Sequence, residues 1–261
     1  MSAVPAKGAM IQIHDLDEVE LIRASARIVG KCLLMLSREV RPGVSTLELD
    51  RLAEKFIRDS GGEPAFKGYR GFPASICASI NEEVVHGIPS SKRLLREGDI
   101  VSLDIGVKKD GFFGDAARTF PVGEVSSTAT RLLEVTERAL EAGMQQARPG
   151  NRVSDISAAI EREVTKSRFR VVRALVGHGI GRDLHEEPQV PNYGRIGEGP
   201  KLKEGMVLAI EPMVNAGTAE VLTLSDQWTV VTSDRGLSAH FEHTVAIGAQ
   251  GPDILSRVEA D

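Results

Sequence analysis

The feature that most constrains what this chain can fold into is that it repeats itself. Arg41-Pro42-Gly43 recurs as Arg148-Pro149-Gly150, an offset of 107 residues (148 − 41), and each copy sits between two helix-like segments. After the first copy Leu49, Leu52, Ala53, Phe56 and Ile57 are spaced as one helix face. At the same offset stand Ile156, Ala159, Ile160, Glu163 and Val164, and only Glu163 breaks the apolar match. Further on, the segment from Glu97 to Asp104 aligns with that from Glu204 to Glu211, again 107 apart (211 − 104). Landmarks held at one separation imply a duplicated α/β unit. Each unit reads as helix, Arg-Pro-Gly turn, helix, irregular stretch, and an apolar strand ending in an acid.

Local signals place the elements. Helices are expected over about 15–37, 46–59, 127–147 and 153–167. Asp15 and Asp17 mark the first start, and Ser45 with Glu48 forms a capping-box pattern at the second. Gly61-Gly62 stops that second helix, and Ser154 and Asp155 stand near the start of the fourth. Segments rich in Val, Ile, Gly and turn residues read as strands and hairpins. The expected organisation is a short segment over 1–14, then one domain over 15–261 built from repeats at about 15–122 and 123–250. If the repeats pack about a pseudo-two-fold axis, Asp104 and Glu211 occupy equivalent strand ends and converge on one place.

Composition removes several classes of function. With 261 residues, 41% hydrophobic and 26% charged, the chain has material for a sizeable core, so disorder is excluded. A net charge of −5 without a basic run leaves no nucleic-acid footprint. The longest apolar runs, Cys32 to Leu36 and Met206 to Ile210, are far short of the roughly 18 residues that a membrane span needs. The first residues lack an apolar stretch of the signal-peptide kind, and two cysteines, Cys32 and Cys77, make no disulfide framework. A cytoplasmic location is expected.

The acids carry the chemistry. Asp104 follows Ile100, Val101 and Leu103, and Asp115 comes after the hairpin signal Lys109-Asp110-Gly111. A turn centred between Lys109 and Asp110 sets the two aspartates nearly opposite each other on antiparallel strands. Like charges so placed repel unless a cation lies between them. Glu211 ends the run Met206 to Ile210 ahead of Pro212, Glu242 lies in the strand-like stretch Ser238 to Val245, and His178 sits among glycines in Val176 to Gly181. Four carboxylates and one imidazole, with no thiolate, suit Mn(II), Fe(II), Co(II) or Zn(II). Four negative charges balance two divalent ions, the arrangement that activates water for hydrolysis. Nucleotide binding is disfavoured because Gly177 to Gly181 lacks the spacing and the following helix of a dinucleotide motif, and no G-x-S-x-G elbow surrounds Ser75.

Taken together, Asn81-Glu82-Glu83-Val84-Val85-His86-Gly87-Ile88-Pro89, the aspartates Asp104 and Asp115, Gly177-His178-Gly179-Ile180-Gly181, His185-Glu186-Glu187-Pro188, Ile210-Glu211-Pro212-Met213 and Phe241-Glu242-His243-Thr244 form a specific set. Over essentially its whole length the chain resembles the type I methionine aminopeptidases, whose duplicated "pita-bread" α/β fold is shared with Xaa-Pro peptidases and creatinase. The resemblance implies five metal ligands at Asp104, Asp115, His178, Glu211 and Glu242, with Asp115 and Glu242 bridging two ions. It gives His185 a contact with the scissile carbonyl, His86 one with the scissile amide nitrogen, and Glu211 a proton-shuttling role. It puts the methionine pocket at Tyr69, Phe72, Cys77, Leu184 and Trp228, and a monovalent cation near Asn81 and Ser238. The implied activity is removal of N-terminal methionine from nascent polypeptides with a small second residue, by a monomer that also meets the ribosome. Ser2 is small enough for the chain to be its own substrate at Met1.

Glu211 and Glu242 are 31 residues apart (242 − 211), leaving no room for the helical insertion of type II enzymes. The short stretch before Asp15 carries no zinc-finger extension, the pattern of a bacterial or organelle form. Gly106 and Arg118-Thr119-Phe120-Pro121 would suit an Xaa-Pro aminopeptidase equally, although those enzymes usually carry a large N-terminal domain. A binding module that has lost catalysis is the other alternative, and the intact ligand positions stand against it.

Overall fold

The computed structural model describes residues 10–258. The expectation about Met1 and Ser2 lies outside the described residues. In the first half α1 spans Leu16–Ser37, α2 Thr46–Asp59, β1 Glu63–Pro64, β2 Ile76–Ile80, β3 Glu83–Val85, β4 Ile100–Lys109 and β5 Phe112–Pro121. In the second, α3 spans Ser127–Met144, α4 Val153–Lys166, β6 Arg170–Val171, β7 Val176–Gly179, β8 Glu186–Pro191, β9 Val207–Ile210 and β10 Met213–Asn215. The hairpin strands β11 Val221–Thr223 and β12 Val230–Thr232 follow, then β13 Ser238–His240, β14 His243–Gly248 and β15 Gly251–Ile254.

The offset of 107 reappears element by element: α1 and α3 end at Ser37 and Met144, and α2 and α4, and β1 and β6, match at both ends. Even the lone bridges Ser45 to Leu94 and Arg152 to Lys201 keep it. The helices start as their caps dictate. Asp15 accepts from the Glu18 N–H and Ser45 from the Glu48 N–H, each covering an otherwise unpaired donor. The third helix ends at Met144 rather than at the expected 147. The Gln146 and Ala147 N–H groups bond three residues back, to Gly143 and Met144, and Pro149 disfavours helical backbone at Arg148.

β4 carries β5 along one edge and β1 and β2 along the other, all antiparallel. The matching sheet of the second half runs β15-β14-β9-β7-β8, with β13-β10-β6 beside it. Helices cover these sheets and make one core per half. Val29, Leu36, Leu49 and Ile57 meet Leu103 and Ile105, while Leu132, Val135, Ile156 and Ile160 meet Leu208 and Ile210. Gly114 in β5 admits α1 at close range, since a Cβ there would stand 2.4 Å from the Ala26 nitrogen. A third cluster, including Ile22, Phe66, Phe72, Leu184 and Val207, joins the halves.

One register differs from expectation. The hairpin closes at Lys109 and Phe112, so its turn is Asp110-Gly111, both with positive φ (50° and 85°). Those are the two left-handed positions that a two-residue turn needs and that Asp-Gly supplies. Asp104 therefore pairs with Ala117 and Asp115 with Gly106, making the aspartates diagonal neighbours on one face rather than direct opposites.

Candidate active site

The two halves meet along a seam of hydrogen bonds that aims the acids inward. Thr244 Oγ accepts from the Asp115 N–H (2.9 Å) and donates to the Asp115 carbonyl (2.7 Å). Thr119 Oγ does the same for His240, at 2.8 and 2.9 Å. Midway, the Glu242 N–H donates to the Ala117 carbonyl at 2.9 Å. Corresponding residues differ here by 125 (244 − 119 and 240 − 115), so the pattern maps onto itself when the halves are exchanged. That is the mark of a local two-fold axis.

Asp104 and Asp115 rise from the same face of an unbroken ribbon. Glu211 and Glu242 come from a break in its counterpart, between the paired residues Ile210 and His243 on one side and Met213 and His240 on the other. Pro212 has no N–H to continue the ladder, and Asn192 Nδ2 caps the Glu211 carbonyl at 3.1 Å. His178 projects from β7. Its Nδ1 lies 2.9 Å from the Gly179 carbonyl and must donate there, which leaves Nε2 as the lone-pair nitrogen, 3.6 Å from Glu211 Oε1.

Asp115, His178 and Glu242 are all buried and offer ligand atoms within 4.8 Å of one another. Burial pushes the Asp104 and Glu211 carboxyls up to about 7. Burial, then the neighbouring carboxylates, carries Asp115 and Glu242 well above the ordinary range. Asp104 Oδ1 and Asp115 Oδ1 have no hydrogen-bond partner among the described residues. A buried carboxylate oxygen without a donor is costly. A cluster of such atoms around an imidazole lone pair fits a divalent cation, and the oxygen and nitrogen donors suit a borderline transition metal.

Every site residue named from the sequence, the monovalent-cation pair apart, lines a single cavity: Tyr69, Phe72, Cys77, His86, Asp104, Asp115, His178, Leu184, His185, Glu211, Trp228 and Glu242. Phe72 meets Trp228 edge to face at 5.1 Å, and burial holds the Cys77 thiol well above its usual value, which keeps it protonated and apolar. His185 stacks on Tyr69, and the Tyr69 hydroxyl lies 2.9 Å from His185 Nδ1. Burial lowers His86 to about 4 and His185 to about 2, so both are neutral near pH 7. Asn81 and Ser238 stand apart from this cavity, where the Ser238 N–H donates to the Asn81 carbonyl at 2.8 Å.

Sequence reasoning passed over His240. It is 1% exposed, neither ring nitrogen has a hydrogen-bond partner among the described residues, and Nε2 lies 3.5 Å from Glu211 Oε2. A signal existed: residues two apart in a strand share a face, so His240 faces the way Glu242 does. Asn192 could not have been found this way, because its hydrogen bond to Glu211 depends on how β7 sets the end of β8 relative to β9.

The signature of Metallopeptidase family M24 matches residues 20–249. The chain belongs to that family. This M24 chain is 55% identical over 250 residues to the methionine aminopeptidase of Clostridium acetobutylicum, covering 96% of its own length and 100% of that protein. The crystal structure of methionine aminopeptidase from Rickettsia prowazekii is similar at a TM-score of 0.93 and 42% identity, over 95% of this chain and 100% of that one. A prolidase from Pyrococcus furiosus, 22% identical, shares the fold at a TM-score of 0.74, and the M24 chain covers 66% of its length. Membership of a metallopeptidase family and the buried acid–imidazole cluster agree on divalent-metal binding.

Proposed function

We propose that this M24 chain is a methionine aminopeptidase that removes the N-terminal methionine from nascent proteins and peptides when the second residue is small. The observation that carries the reading is one cavity that joins an apolar, aromatic and sulfur-bearing wall to a floor of four carboxyls, of which those of Asp115 and Glu242 are buried. In this reading Asp104, Asp115, His178, Glu211 and Glu242 hold divalent cations of the Mn, Fe, Co or Zn type, two on charge balance. When bound, these ions supply a water of lowered pKa and a Lewis acid for the scissile carbonyl.

The residues divide the remaining work. Tyr69, Phe72, Cys77, Leu184 and Trp228 take the methionine side chain, whose polarizable thioether suits aromatic rings. Only a chain start could bring a free α-amine to cations held by these carboxylates, which would confine cleavage to the first residue. With the Tyr69 hydroxyl donating to its Nδ1, neutral His185 would carry its proton on Nε2, a donor for the oxygen that gains charge in the transition state. His86 offers a neutral imidazole to the scissile amide nitrogen and sets its position. Glu211, lining the cavity beside the other cation-holding carboxyls, accepts a proton from the attacking water and returns it to the leaving amine.

The test is hydrolysis of Met-Ala-Ser beside Ala-Pro-Ala by metal-stripped protein, with Mn(II), Fe(II), Co(II) and Zn(II) restored one at a time. Metal-dependent release of methionine alone is expected. Cleavage only before proline would make the chain an Xaa-Pro peptidase, and no cleavage of either would refute an enzymatic role.

A further inference from the structure

The seam between the halves makes His240 the counterpart of Asp115. Asp115 pairs with Gly106 in the first ribbon, and His240 pairs with Met213, 107 residues beyond Gly106 (213 − 106). Each has its N–H and carbonyl tied to one threonine hydroxyl across the seam, Asp115 to Thr244 and His240 to Thr119. Ser102 Oγ, 2.8 Å from Thr119 Oγ, braces the second pair. The duplication has thus built two equivalent inward-facing positions. One holds an acid of the candidate metal cluster and the other holds an imidazole.

We propose that His240 is a positioning residue for the metal centre, its Nε2–H directed at Glu211 Oε2 so that Glu211 Oε1 is presented beside His178 Nε2. The two oxygens of Glu211 stand 3.5 Å from His240 and 3.6 Å from His178, so the carboxylate lies between two imidazoles with one oxygen toward each. The tautomers follow from the contacts. His178 spends its Nδ1–H on the Gly179 carbonyl and turns a lone pair inward. A lone pair on His240 Nε2 would repel the carboxylate, so that nitrogen carries the hydrogen.

A histidine that merely fills space would have its nitrogens satisfied elsewhere. Neither nitrogen of His240 has a hydrogen-bond partner among the described residues. At 3.5 Å the contact is longer than a hydrogen bond, and such contacts tighten when a centre is loaded. Fixing the unused oxygen of a ligating carboxylate sets its orientation and basicity, and loss of partners of this kind costs about 10–100-fold in metal affinity or activity.

This inference rests on the reading of Glu211 as a metal ligand, and the experiment separates the two. Mn(II) affinity of metal-stripped protein is measured by calorimetry for the wild type, His240→Gln, His240→Leu, His240→Met and Glu211→Gln, with the melting temperature of each metal-free protein recorded. Gln keeps an N–H donor, whereas Leu and Met fill the space without one. The expected result is affinity within about threefold of wild type for His240→Gln and a loss of about 10–100-fold for Leu and Met at little-changed melting temperature. Wild-type affinity in a folded Leu or Met variant, or equal losses in all three, would overturn the positioning role. Wild-type affinity in Glu211→Gln would instead overturn the ligand reading beneath it. If Leu does not fold, Met and Gln decide between the same outcomes.

Discussion

The two halves of this molecule share one frame and use it differently. In the first, β4 and β5 run unbroken for ten residues each, and Asp104 and Asp115 reach the centre from strand interiors. In the second, the corresponding strands break at Glu211-Pro212 and at Phe241-Glu242. The longer glutamates stand at those breaks, where the ladder no longer fixes how far a side chain must reach. Of the four acids at the centre only Asp104 and Glu211 stand at corresponding positions; Glu242 corresponds to Ala117 and Asp115 to His240. Duplication therefore supplied convergent positions, and substitution within them made a centre that is symmetric in backbone and asymmetric in chemistry.

The same contrast runs through the histidines. Ser79 pairs with Ser102, and His178 pairs with Ala209, 107 residues beyond it (209 − 102), so Ser79 and His178 correspond. His86 and His185 each follow seven residues later, and burial depresses both. One corresponding pair keeps an imidazole in both halves, and the other gains one in the second half alone. The second half also carries 18 additional residues (125 − 107) between corresponding strands. They form the β11-β12 hairpin, whose β12 pairs with β3 of the first half and brings Trp228 against Phe72 and His86.

The sharpest way to break the comparison is to remove one acid from each half. Asp115→Asn and Glu242→Gln should each lower methionine release from Met-Ala-Ser by about a thousandfold, the several kcal/mol a metal supplies to the reaction. Loss from only one would mean that the halves contribute unequally to the centre. Next, His86→Ala and His185→Ala should each lower kcat by about 10²-fold or more. Tyr69→Phe, which removes only the hydroxyl beside His185, should cost less than tenfold; steady-state kinetics of the three variants checks this.

The seam offers a test in stability. Thr119→Val and Thr244→Val each strand one buried N–H and one buried carbonyl, so each should cost about 2–4 kcal/mol in urea unfolding. Equal losses would support the two-fold seam, and a difference above about 2 kcal/mol would argue against it. Close behind comes a pH effect at His243, the counterpart of Arg118. Arg118 is exposed, whereas His243 is covered and 2.7 Å from Ser256 Oγ, and burial lowers it to about 4. Above its ordinary value of 6.5 the ring is neutral both folded and unfolded and contributes nothing. As pH falls from 6.5 to 4 the unfolded chain takes a proton that the folded one refuses, so stability drains away across that window, by about 3 kcal/mol in total. His243→Gln should gain on the wild type by that amount over the same interval in parallel urea titrations. The last effect is on binding and falls on the hairpin that only the second half has. Trp228→Ala should raise KM for Met-Ala-Ser about tenfold with kcat nearly unchanged, since one face of the apolar pocket is lost.

Much of this was legible in the sequence because it is written locally. Ser45, Asp15 and Gly61 set helix ends within a few residues of themselves, and the recurrent Arg-Pro-Gly and the aligned strands ending in Asp104 and Glu211 disclosed the duplication. The site motifs named residues that the fold gathers into one cavity. Where the hairpin register slipped, the deciding term was the conformation of two residues. Centring the turn one position early set Asp104 opposite Asp115, whereas Asp110 and Gly111 take the left-handed backbone together.

The sequence by itself determined the periodicities, caps and residue chemistry, since each depends on neighbours a few positions away. Tertiary structure alone decided that Thr119 and Thr244 would lock the halves face to face, that Asn192 would hold the Glu211 carbonyl, and that His240 would meet Glu211. Those partners lie from 19 to 129 residues apart along the chain. Only the packing of one sheet against another brings them within hydrogen-bonding reach, and no local pattern encodes that approach.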